Sequence, residues 1–146
     1  MDVLGYTESG MIRVIFDGEG ESFVPDDVGN RHRQMIAAWE AEGNEVPPYT
    51  PPAPTIHDYE TAIQAVVDAT AKEKLFRDGV TLASYTASTN PQWAAEALAF
   101  VAWRDGVWAY AYSELAKVQS GQRQQPTVEE FLAEVEPIEW PSSAPA

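Results

Sequence analysis

The stretch NPQWAAEALAFVAWRDGVWAYAYSELAKVQSG, Asn90 to Gly121, limits the fold more than any other part of the chain. Asn90 is a good helix cap. Pro91 follows at the first helical position, where a missing N–H costs nothing. Gly106 weakens the helix by about 1 kcal/mol relative to Ala, but the helix can run to Ser120, with Gly121 suited to the left-handed position just past its end. A helix of that length spans about 45 Å at 1.5 Å per residue. Trp93, Ala97, Phe100, Val107, Ala111, Leu115 and Val118 recur near a 3.5-residue spacing on one face. A second strip carries Val101, Trp108 and Tyr112, with Trp103 a little aside. Together they exceed the roughly 100° apolar stripe of an ordinary surface helix. Such a helix is wrapped on most sides, by its own chain, by another subunit or by a partner.

The candidates for its cover come from the same chain. Thr55 with Asp58 three residues on is a capping-box variant, and Tyr59, Ile63, Val66 or Val67, Thr70 and Leu75 or Phe76 trace an apolar stripe behind it. This second helix can lie antiparallel to the long one. Gly79 and LASYTASTN predict a bend or a short broken helix between the two. Thr127-Val-Glu-Glu130 is a capping box for a short last helix that ends before Pro137, and PIEWPSSAPA reads as an extended tail.

The first third of the chain differs. MIRVIF and ESFVP flank Asp17-Gly18, a hairpin signal. A lone hairpin is marginal in water, so it leans on a helix or adds to a partner's sheet. Asp26 and Asp27 are placed to cap a short helix with Met35, Ile36 and Trp39 on its apolar face and Gly43 just past its end. Asn44 to Pro54, NEVPPYTPPAP, is a stiff, extended connector, because proline fixes φ and removes donors. The expected fold is mainly α. An N-terminal β-hairpin plus short helix (1–43) and a proline-rich linker (44–54) precede a helical domain (55–136). That domain is an antiparallel helical hairpin with a short C-terminal helix, and an extended tail (137–146) follows.

Charge and composition narrow the function. Acidic residues number 23 against 9 basic ones, a formal net charge of -14. Phosphate backbones and anionic membrane surfaces repel such a chain, so neither nucleic acid nor membrane is an expected partner. Arg104 and Asp105 interrupt the apolar run, which argues against a membrane-spanning helix. The opening MDVLGYTESG lacks the features of a signal peptide. There is no cysteine, hence no disulfide or thiolate chemistry.

No chemistry-bearing motif stands out. His32 lies between Arg31 and Arg33, and His57 is next to Asp58, which points elsewhere on a helix. No nucleophile-elbow or phosphate-cradling stretch is present, and DGEG lacks calcium-loop spacing. Catalytic, cofactor-binding and metal-binding residues are therefore expected to be absent, and the chain is expected not to be an enzyme. Glu129, Glu130, Glu134, Glu136 and Glu139 form an acidic end, either solvated or a surface for a basic patch. The candidate contact residues are Trp93, Trp103, Arg104, Trp108, Tyr110 and Tyr112. Arg104 and Asp105 are either a polar edge or a paired charge that fixes register at an interface. Gly106 beside them would allow close approach of a neighbouring backbone.

Two stretches carry a family resemblance. In Val24 to Pro52 the pattern is N-R-x-R-Q…W…GN…PY-x-PP; in Arg77 to Val135 it is Q-W-A-A-E-A…W-R-D-x-V-W. Both stretches resemble small proteins encoded near tail-fibre genes of tailed bacteriophages, and segments at the ends of tail proteins. The resemblance implies a virion component of the tail, at the fibre or baseplate, made in the host cytoplasm and held in an oligomeric assembly with tail or tail-fibre proteins. The alternative it implies is a fibre-assembly chaperone that leaves. It brings no catalytic residue.

Overall fold

The computed structural model describes residues 1–142. The chain divides into two compact units, Met1–Ala53 and Pro54–Ala146. It is mainly α, with a small antiparallel sheet at the N-terminus.

The first unit holds β1 (Asp2–Tyr6), β2 (Ile12–Ile15), β3 (Glu21–Val24) and α1 (Arg31–Ala41). The expected hairpin is β2–β3, with Ile12 opposite Val24 and Ile15 opposite Glu21. The third strand, β1, was not expected. It pairs antiparallel with β2 through a bulge between Val3 and Gly5. A glycine in DVLGY reads as a strand breaker. Here Gly5 sits at φ +125°, and a Cβ would meet the Pro47 carbonyl oxygen at 2.9 Å. The glycine is what lets the proline-rich segment lie against the strand, where the Tyr6 N–H donates to that same carbonyl at 2.9 Å.

Ile12, Val14 and Val24 from one sheet face pack with Phe16, Ile36 and Val46 as the buried core. The hairpin thus leans on a helix of its own chain. Of the expected apolar face of α1, Ile36 is buried and Trp39 half-buried, but Met35 is 44% exposed. The cap also differs. Asn30, not Asp26 or Asp27, accepts the first free N–H groups of α1, from His32 (2.9 Å) and Arg33 (3.2 Å). Asp27 instead accepts from the Gly29 N–H in a local turn, and Asp26 binds Arg33. Gly43 takes positive φ past the helix, as expected. Residues 44–53 have no regular structure, as the prolines require, yet they belong to the first unit rather than to a free linker. Val46 is buried there and Pro47 is bonded to β1.

The second unit holds α2 (Ile56–Glu73), α3 (Gly79–Ala83), α4 (Pro91–Gln119) and α5 (Val128–Ala133). All four caps are side-chain caps: Thr55, Asp78, Asn90 and Thr127, with complete capping boxes at Thr55 and Thr127. Ile63, Val67 and Ala71 of α2 meet Ala97, Phe100 and Val107 of α4, with Leu82 of α3 and Phe131 of α5 completing the core. α2 and α4 run antiparallel: Lys74, just past α2, lies 3.8 Å from Glu96 near the start of α4, while Ile56 and Tyr59 share a groove with residues 108–119.

Of the alternatives in the expected stripe, Val67 and Phe76 take the inward places. Leu75 is not in the core; it is 95% exposed, at φ +65°, in the position after the α2 cap. Phe76 alone turns inward, its N–H bonded back to the Ala71 carbonyl. The C-terminal segment is extended but docked. Ile138 and Trp140 pack on the core. The Trp140 indole N–H donates to Glu73 at 3.0 Å, and the Lys74 ammonium lies 5.2 Å from the ring centre. Residues 143–146 of the expected tail lie outside the described residues.

Candidate functional site

The long helix α4 carries all six candidate contact residues, and their surroundings separate them. None of its five aromatic candidates is fully buried: Trp93, Tyr110 and Tyr112 are 47%, 39% and 57% exposed, and Trp103 and Trp108 are half-buried.

Three of them are held by their own chain. Trp93 meets Tyr85 edge-on at 5.8 Å, and Tyr85 in turn meets Phe76 at 5.0 Å. The Trp103 indole N–H donates to the Glu136 carbonyl at 2.8 Å, which pins the C-terminal segment, and its ring lies 5.9 Å from that of Phe100. Tyr110 stacks on Phe131 at 5.9 Å, and its hydroxyl donates to Glu134 at 2.7 Å. That bond to a carboxylate holds the Tyr110 hydroxyl protonated above its usual range.

Arg104 donates to the carboxylate of its neighbour Asp105 at 2.8 and 3.0 Å. The pair closes on itself within one helix. A Cβ at Gly106 would meet nothing within 4 Å, so the expected close backbone approach does not occur within this chain.

Trp108 and Tyr112 behave differently. Their rings lean together at 6.0 Å. They line an open groove of about 350 Å³ with Ile56, Tyr59 and Ile63 of α2, and Ala111, Leu115 and Val118 of α4. Several polar groups of its lining are already engaged. The Tyr59 hydroxyl donates to the Pro126 carbonyl, and the Gln125 amide donates to the Pro54 carbonyl at 2.8 Å. Arg123 bridges Glu114 and Glu134, and Lys117 donates to Glu114 at 2.6 Å. Glu114 is held ionised below the usual carboxylate range, first by Lys117 and then by Arg123. Arg123 does the same to Glu134, with Tyr110 adding to it.

Sequence reasoning placed Trp108 and Tyr112 on one strip but missed Ile56, Leu115 and Val118 as their partners in the groove. Ile56, Tyr59 and Ile63 fall at i, i+3 and i+7, a spacing that marks one helix face. The acidic end, expected to be either solvated or a surface for a basic patch, divides in the structure. Glu130 caps α5 and Glu134 is spent on Arg123 and Tyr110, while Glu129, Glu136 and Glu139 stay exposed.

Among the described residues no helix is long and apolar enough to cross a membrane, and no group of three or more metal-binding side chains converges. No protein-family model, no curated protein and no solved structure matches the chain.

Proposed function

We propose that the protein is a non-enzymatic structural component of a bacteriophage tail, at the fibre or baseplate, working through protein–protein packing. The observation that supports the packing part is the open apolar groove. On a helix whose other aromatic side chains are bonded or stacked within the chain, Trp108 and Tyr112 face a trough left uncovered. Exposed apolar surface of this kind marks contact sites. The tail assignment rests on the resemblance of the Asn30–Pro52 and Gln92–Trp108 patterns to fibre-locus proteins. Mass spectrometry of purified particles from the virus that encodes the chain tests it. A fixed copy number per particle is the expected result. Presence in infected cells with absence from particles would replace the reading with that of an assembly chaperone.

A further inference from the structure

The groove is open along one side, and what surrounds it narrows the occupant. A small polar ligand is oriented by a few convergent polar groups. Here most of those groups are engaged: Tyr59 and Gln125 are bonded to backbone carbonyls and Thr55 to Asp58, which leaves the amide of Gln119 as a single uncharged polar group at one end of the lining. What the groove offers is apolar side-chain surface, running along two turns of α2 and about three turns of α4. That matches the footprint of an amphipathic segment laying one face into a trough.

Charge then separates the possible sources. Three charged residues line the groove: Glu60, Glu114 and Arg123. Arg123 is neutralised by Glu114 and Glu134, and Lys117 also binds Glu114. Glu60 makes no ion pair among the described residues, and Asp58 and Glu129 stand exposed on the flanking helices α2 and α5. Arg123 and Glu114 cancel, so the one lining charge left unpaired among the described residues, Glu60, is negative. A second copy, itself at -14, is repelled. This chain's own C-terminal segment is engaged elsewhere, with Trp140 docked at Glu73, at the far end of α2.

We infer that the groove receives the apolar face of a basic amphipathic segment of a partner protein, with leucine-sized side chains against Trp108, Tyr112 and Ile56 and a lysine or arginine beside Glu60. This deepens the packing reading above and does not depend on the tail assignment.

The test uses the full chain and two labelled synthetic peptides: a fifteen-residue amphipathic helix of leucine and lysine, and its leucine–glutamate twin. Binding is followed by fluorescence anisotropy. The lysine peptide is expected to bind at least about tenfold more tightly than its twin, and less tightly as salt rises, because exposed pairs are screened. Ile56→Ser with Tyr112→Ser, both at exposed positions, should weaken it by about tenfold or more while thermal melting stays unchanged. Glu60→Lys should narrow the gap between the two peptides. Leu98→Ser, 58% exposed on α4 but outside the groove, should change nothing. Equal binding of both peptides, no binding of either, or the same loss from Leu98→Ser would overturn the inference. So would self-association by sedimentation that the groove variant abolishes. If the peptides fail but the chain is present in particles at fixed copy number, the tail reading survives and only the groove's occupant is wrong.

Discussion

Gly79→Ala is expected to destabilise the second unit, against the usual sign of that substitution. Replacing glycine by alanine in a helix normally stabilises by about 0.4 to 1 kcal/mol, because alanine loses less freedom on folding. Gly79 opens α3, and its φ is not in the left-handed region, so backbone conformation alone favours alanine. Space does not. A Cβ there would lie 3.0 Å from Val67 Cγ1, 3.1 Å from Phe100 Cζ and 3.2 Å from Asp68 Oδ1. Val67 and Phe100 are 1% and 0% exposed, so neither can swing into solvent. Asp68 holds the Gly79 N–H at 2.9 Å and is fixed as well. Overpacking of this kind costs about 1 to 3 kcal/mol. Taking the middle of each range leaves a net loss of about 1.3 kcal/mol. For a unit of this size each kcal/mol moves Tm by about 4 to 8 °C. Differential scanning calorimetry should therefore show a drop of several degrees in the transition of the second unit. Val67→Ala should cost about 1 to 3 kcal/mol by itself, yet the double variant should lose less than the sum, because the smaller side chain makes room. An unchanged or raised Tm for Gly79→Ala, or strict additivity, would refute the close approach of α2, α3 and α4 at this point.

Leu75→Gly should raise stability by about 0.5 to 1 kcal/mol, since the left-handed conformation costs a non-glycine residue about 1 to 2 kcal/mol and part of that gain is offset by glycine's greater freedom when unfolded; urea denaturation measures it. Acid should loosen the second unit. Glu114, Glu134, Asp58 and Asp78 are all held below their usual pKa. Their contribution is complete above the unfolded carboxylate range near pH 4 and is lost as pH falls through the lower folded values. Tm scans from about pH 6 to 3 should show this, and Arg123→Gln should flatten the decline by removing the cation common to Glu114 and Glu134. Trp103→Phe keeps the ring contact with Phe100 but deletes the donor to Glu136; limited proteolysis after Glu139 should speed up while the α2–α4 core resists cleavage as before.

Local signals made most helix boundaries legible. Thr55, Asn90, Pro91, Gly121 and Thr127 act through their immediate neighbours, so their roles could be read without the fold. β1 was hidden because its two supports are remote: pairing with β2, and the Pro47 carbonyl that only a glycine at position 5 tolerates. The cap of α1 went to Asn30 because Asp26 and Asp27 are taken by Arg33 and by a turn, a competition that spacing does not reveal. The same holds at the candidate site. The composition of α4 showed an excess of aromatic side chains. Which of them the chain would satisfy depended on Glu134, Glu136 and Tyr85, residues on other elements. The groove itself exists only once α2 is laid antiparallel to α4.

We propose that the chain works by packing a partner into the Trp108–Tyr112 groove. Quantitative mass spectrometry of particles made with the wild-type chain and with the Ile56→Ser, Tyr112→Ser variant tests it most directly, provided both chains melt alike. A fixed copy number for the wild type and loss of the variant from the particle are expected. Full incorporation of the variant would contradict it.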